Sequence, residues 1–198
     1  MRTQWLTAPL LLFFAFWQLA VPSQAQELCR TLAGQFASID GAVEVQRVDD
    51  ESWKKAKRET PLCVGDAIRV GERSRAAVYL VNNAVLRIDQ NTTMRLLNIS
   101  GKEQEQSWLE LVKGVFQSFS RRPHVLKVNT PYLNGLIEGT EFVAEAQDTR
   151  SSLTVLEGRV TAENQLGSVV VEPGTAAVGE PNKAPQLQIV VRPRDAMQ

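Results

Sequence analysis

Histidine occurs once in this 198-residue chain and cysteine only twice. The one histidine, His124, follows Arg121-Arg122-Pro123 and has no second histidine with which to build a zinc set. A lone histidine in such a loop reads as a surface residue. The two cysteines, Cys29 and Cys63, lie far apart and form no Cys-x-x-Cys redox motif. A surplus of either charge is missing too. Lys and Arg number 22, and so do Asp and Glu, so nothing favours nucleic acid as a partner. The basic clusters Lys54-Lys55-Ala56-Lys57-Arg58 and Arg121-Arg122 are short and read as solvated loops.

Catalytic signatures are absent as well. There is no Gly-x-Ser-x-Gly elbow, no phosphate loop and no histidine-rich metal signature. The carboxylates Asp66, Asp89, Glu138, Glu141 and Glu157 each sit beside a turn signal, and sequence sets no two of them at a working separation. The expectation is a non-catalytic chain without cofactor or metal. The sequons Asn91-Thr92-Thr93 and Asn98-Ile99-Ser100 read as coincidence.

Long apolar runs are lacking after the first 25 residues. Those residues read as an export signal. Arg2 supplies the positive start, Pro9 to Trp17 the apolar stretch, and Pro22 the break. Ser23-Gln24-Ala25 offers small residues for cleavage between Ala25 and Gln26. The competing reading is an uncleaved anchor over Trp5 to Val21. Cleavage removes one base and no acid, leaving 21 basic and 22 acidic side chains. The mature protein is then expected in the periplasm, with no transmembrane segment. In that oxidising compartment Cys29 and Cys63 can pair as a disulfide; two buried free thiols are the alternative.

What remains is β pattern. Segments of period-two alternation follow one another: Ala42–Val48, Ala67–Val70, Ala76–Val81, Val85–Ile88, Thr93–Leu97, Trp108–Val112, Val115–Phe119 and Val125–Val128. Glu141–Ala146, Leu153–Leu156, Arg159–Ala162, Ser168–Val171 and Thr175–Val178 continue the series. About a dozen short strands at this spacing suit a sandwich, barrel or solenoid. One helix is expected over Glu27–Phe36, limited by Gly34, and a short turn over Trp53–Lys57. A faint echo relates Gly41-Ala42-Val43-Glu44-Val45 to Gly158-Arg159-Val160-Thr161-Ala162, as stacked β coils would. Chance similarity among strands is the other explanation. After Gly179, Glu180 to Pro185 reads as a linker, Leu187–Val191 as a last strand, and the remainder as a tail or a junction to a further module.

The order of these elements carries a family likeness. It runs Gly41-x-Val43-x-Val45, Trp53, Leu62-x-x-Gly65-Asp66-x-Ile68-x-Val70-Gly71 and Ser74-x-Ala76-x-Val78-x-Leu80. Leu86-x-Ile88, Asn91-Thr92, Leu96, Leu109-x-Leu111 and Gly114 follow. Val128-x-Thr130-Pro131, Gly139-Thr140-x-Phe142, Val155-x-Glu157-Gly158-x-Val160 and Pro173-Gly174 complete it. This resembles the FecR domain over roughly residues 36–179, with 26–35 as an N-terminal segment and 180–198 as linker or tail. The resemblance implies a twisted, solenoid-like all-β domain of the bacterial envelope. It gives Gly65, Gly114, Gly139, Gly158 and Gly174 the places where a coil turns sharply or passes its neighbour closely. Asp66 then closes a turn, and Thr130 before Pro131 is held extended.

The family's eponym is a transmembrane regulator with a cytoplasmic segment that restrains a sigma factor. A chain that opens on its own export signal is not expected to carry that segment, so sigma-factor control is not transferred. Envelope proteins that join a FecR-like domain to repeat modules are more similar. The expected function is a binding or scaffold module for an envelope protein or an attached repeat domain; the alternative is a cell-wall or surface glycan. Of the aromatics Trp53, Tyr79, Trp108, Phe116, Phe119 and Tyr132, most fall on strand positions and read as core. Tyr132 is the candidate partner contact, with plain packing as its other reading.

Overall fold

The computed structural model describes residues 29–101 and 106–190, without the side chains of 122–124 and 140. The expected export signal therefore lies outside the described residues. Among the described residues the structure is all β, with fourteen strands and no helix. The first group is β1 (Leu32–Asp40), β2 (Val43–Gln46), β3 (Trp53–Lys55), β4 (Pro61–Cys63) and β5 (Ala67–Val70). Next come β6 (Arg75–Leu80), β7 (Ala84–Ile88), β8 (Thr92–Asn98), β9 (Ser107–Asn129) and β10 (Asn134–Ala146). The last four are β11 (Ser151–Asn164), β12 (Gly167–Val171), β13 (Thr175–Gly179) and β14 (Gln186–Ile189).

The main path through the sheet runs β14-β13-β11-β10-β9-β7-β6-β1-β4. A branch leaves β9 through β8, β5, β2 and β3, and β12 pairs with β11. Part of the array closes as a small five-stranded barrel, with other strands outside it. Every ladder between described strands is antiparallel. The stacked coils that the glycine echo suggested are not confirmed by this pairing. Consecutive strands joined by short turns pair antiparallel, and that connectivity dominates here.

Two local expectations are corrected. The described part of the expected helix Glu27–Phe36 is loop and strand: β1 begins at Leu32 and runs through Phe36. Ala33 and Phe36 are buried there, and Gly34 lies so close to β6 that an added Cβ would stand 2.4 Å from the Tyr79 carbonyl oxygen. A strand edge that close admits no side chain and no helical turn. The expected turn at Trp53–Lys57 begins instead as β3, paired with β2. Arg69 stacks over Trp53 with its guanidinium carbon 4.3 Å from the ring centroid, and also donates to Glu44, with Nη2 2.6 Å from Oε2.

The largest difference concerns β9 to β11. Sequence divides this stretch at Gly114 and Gly158, yet β9 and β11 run unbroken through them. Gly114, Gly139 and Gly158 all lie inside strands, where they mark bends and not chain reversals. The bend is large. Lys127 Nζ lies 4.8 Å from the centroid of the Trp108 ring, although both residues belong to β9. A straight strand would hold them about 60 Å apart. The strand therefore curls until its ends meet. A register jump supplies the corner: His124 pairs with Gly139 and Phe119 with Glu141, so β9 spends three more residues than β10 over this interval.

On the far side of β10, Gly139 pairs directly with Gly158. Gly158 has φ +101°, and a Cβ there would stand 2.3 Å from the Gly139 Cα. Only two glycines let the backbones cross that closely while bending. Inside the curl, one cluster of apolar side chains fills the core, with Phe36, Phe116, Leu86, Leu111 and Leu126 among its fully buried members. Phe116 and Phe142 meet edge to face at 5.8 Å.

The corner predicts an order among alanine substitutions. Gly158→Ala combines positive φ with a backbone clash and should cost more than about 3 kcal/mol. Gly174→Ala, at φ +86° with open space around it, should cost about 1 kcal/mol. Gly167→Ala meets only ordinary contacts and should stay within about 0.5 kcal/mol. Urea unfolding monitored by circular dichroism ranks the three; equal losses would contradict the corner.

Candidate functional site

Alternation decides which side chains face out of the curled sheet. The inward row Phe36, Val78, Leu86, Ser118, Phe142 and Val155 runs across adjacent strands and is buried throughout. One residue along, the row points outward. Tyr79 pairs with Val85, and Val85 with Phe119. Tyr79 is 45% exposed and Phe119 39%. Both rings read as core in the sequence; register places them on the surface instead. They stand two strands apart, a spacing of about 10 Å. Gln35 lies beyond Tyr79 and Glu141 beyond Phe119.

The next outward row holds Ala77, Arg87, Gln117 and Val143. With Arg75, Asp89 and Val115 these residues line a shallow depression of about 470 Å³. Two polar contacts border it. Arg75 Nε reaches Asp89 Oδ1 at 3.4 Å, and Gln117 Nε2 donates to Glu141 Oε1 at 2.6 Å. Tyr79 donates its hydroxyl to Asn83 Oδ1 at 3.0 Å. An apolar strip bordered by polar residues is the usual anatomy of a docking surface.

Tyr132 sits elsewhere, in the turn Thr130–Leu133 between β9 and β10. Thr130 closes that turn, accepting from the Leu133 amide at 3.1 Å, and Pro131 is exposed beside it. Tyr132 is half-buried and donates its hydroxyl to the Asp148 carbonyl at 2.6 Å. It lines a polar groove of about 290 Å³ with Asn134, Asn164, Glu180 and Asn182. A hydrogen bond from Lys183 holds the Glu180 carboxyl below its usual range. The Tyr132 ring is thus anchored within its own chain.

The motif at Leu62 to Asp66 has a clear physical basis. The Asp66 amide donates to the Cys63 carbonyl at 3.1 Å, closing a four-residue turn. Gly65, at φ +93°, occupies its third position, as a type II turn requires. The Asp66 side chain is buried, and its Oδ2 accepts from the Cys63 amide at 2.8 Å and from Arg47 Nη1 at 2.5 Å. Its Oδ1 is buried without a partner among the described residues. Cys29 and Cys63 form a disulfide, with Cα atoms 5.3 Å apart. Gly174 lies in a similar turn, where the Thr175 amide donates to the Glu172 carbonyl at 3.0 Å.

The remaining carboxylates are not gathered around a cleft. Asp89 is paired with Arg75; Glu138 and Glu157 are exposed; Glu141 faces Glu157 across a ladder. The His124 side chain lies outside the described residues. Among the described residues no group of three His, Cys, Asp or Glu could hold a metal ion. Asp50, held low first by a hydrogen bond from Lys54 and then by Ser52, belongs to a surface loop. No helix among the described residues is long and apolar enough to cross a membrane.

Comparison with known proteins completes the picture. Residues 66–161 match the family model described as FecR protein. The chain carries a FecR domain. The match opens at Asp66 and includes Tyr79, Val85, Phe119, Gly139 and Gly158, so the FecR region contains both the outward strip and the corner. Two crystal structures of a protein from Parabacteroides distasonis ATCC 8503, described as a "putative anti-sigma factor", are similar in fold. Each shows 17% identity and a TM-score of 0.53, over 62% of this chain. The match spans 59% of that protein's length. No curated protein matches the chain.

Two outcomes separate surface from support. Tyr79→Ser and Phe119→Ser should each change stability by less than about 1 kcal/mol, because much of each ring is already in water. Asp66→Ala should cost about 2–4 kcal/mol, since it strands the buried Cys63 amide and the Arg47 charge. Chemical denaturation checks both; comparable losses at all three positions would contradict this division.

Proposed function

We propose that the FecR domain of this chain is a non-catalytic binding or scaffold module in the periplasm, exported by residues 1–25 and docking an envelope protein. Residues 36–179 form the module, and residues 180–185 link it to β14, which adds to its sheet. The curved antiparallel array takes the scaffold part expected of stacked coils. The observation that carries the reading is the outward strip Tyr79–Val85–Phe119, with a depression of mixed polar and apolar lining on the next row. Such a strip contributes nothing to the chain's own core, and covering it would remove apolar surface from water. The fold likeness to a protein described as an anti-sigma factor supports a protein as the occupant. A partner strand could also add to an open sheet edge, where β14 lies outermost and exposed. A cell-wall or surface glycan, the alternative, would stack on the same two rings.

The test is photo-crosslinking in intact cells from a probe at Val85, with a control probe at exposed Ser168 on β12. One envelope protein captured from Val85, absent from Ser168 and lost in the Tyr79→Ser/Phe119→Ser protein, is the expected result. Pelleting with purified cell wall, without a protein crosslink at Val85, would replace the reading with glycan binding.

A further inference from the structure

A second opening lies away from the sheet face, where the disulfide meets the Arg47–Asp66 pair. Its volume is about 910 Å³, and Cys29, Arg30, Arg47, Lys54, Cys63 and Asp66 line it. The two sulfurs are not equivalent. Cys29 is half-buried, whereas Cys63 is buried at 7% exposure. Arg47 Nη1 donates to the Cys63 sulfur at 3.3 Å and to Asp66 Oδ2 at 2.5 Å. The guanidinium is thus fixed against one sulfur of the bridge.

We propose that the Cys29–Cys63 bridge is a thiol-exchange site with a set direction: an external thiolate attacks Cys29, and Cys63 is the leaving sulfur. The attacking class is a small thiol or an exposed protein dithiol. The incoming thiolate forms a bond to Cys29 Sγ as the Cys29–Cys63 bond breaks. The electron pair passes to Cys63 Sγ, giving a mixed disulfide at Cys29 and a thiolate at Cys63. The attacking sulfur is oxidised to the disulfide level and Cys63 is reduced. A second thiol then resolves the mixed disulfide, or Cys63 attacks Cys29 and restores the bridge.

Arg47 acts on the leaving group. A cation in contact with a thiolate lowers its basicity, and a less basic thiolate leaves faster. Asp66 opposes this with its own charge, which its bond to Arg47 offsets. Arg30 faces the same opening, where Lys54 is paired with Asp50 and Arg47 with Asp66, so the lining is of mixed charge. Two backbone ties beside the bridge are independent of the sulfurs: with the disulfide formed, the Val64 amide donates to the Thr31 carbonyl at 3.0 Å and the Cys63 amide to Asp66.

The test exposes the intact chain to reduced glutathione, quenches with acid, caps free thiols with N-ethylmaleimide and maps both cysteines by mass spectrometry. Glutathione on Cys29 with the cap on Cys63 should exceed the reverse by roughly fivefold or more. Arg47→Leu should slow exchange by roughly fivefold, and Asp66→Asn should accelerate it. Equal labelling, a preference for Cys63, or no reaction with the folded chain would overturn the proposal. So would an Arg47→Leu protein that keeps its β-sheet spectrum and exchanges at the unaltered rate. The wild-type labelling pattern needs no variant, so a folding defect cannot mask it.

Discussion

The close crossing of Gly139 and Gly158 is the constraint on which the rest of the structure depends. At that point β10 and β11 bend together, and β9 takes up the difference with three extra residues. Without the bend, β9 would be a long straight strand that encloses no core. With it, Trp108 and Lys127 meet from opposite ends of one strand. The curl wraps a single apolar core, which the separate short strands of this chain could not each enclose.

The same curl decides what faces outward. Phe119 and Glu141 pair immediately beside the register jump. Their outward direction follows from the pleat once the inward row Leu86, Ser118 and Phe142 is buried. A one-residue slip at the corner would turn Phe119 inward and Ser118 outward. The outward strip is therefore a product of the corner and not an independent feature. The disulfide and the Asp66 turn stabilise a different end of the molecule, where β4 leads into β5 and the N-terminal segment is tied down.

The all-β class was legible in the sequence because alternation of period two survives in almost every strand. The Leu62-to-Asp66 turn carries its own chemistry in a few adjacent residues: glycine for positive φ and aspartate for a free amide. The pairing of Cys29 with Cys63 was one of two open readings, and the structure forms it. The segment around Ala33–Phe36 read as helix because a short apolar run fits either period; contact with β6 decided for strand. The corner was not legible. Its two glycines are far apart in sequence, and each alone reads as an ordinary turn residue. The strip was hidden for a related reason: Tyr79, Val85 and Phe119 become neighbours only through ladder register. Tyr132 drew attention by its place after Thr130-Pro131, a local signal that says nothing of the Asp148 carbonyl engaging its hydroxyl.

Distance across the curl is the direct measure of the central claim. The described chain has no free cysteine, so spin labels on a Trp108→Cys/Lys127→Cys protein would report those two positions. Pulsed electron resonance should return a distance below about 25 Å, as two labels on touching ends of a curled strand require. A distance near about 60 Å, that of a straight strand of this length, would contradict the corner and the outward strip that follows from it.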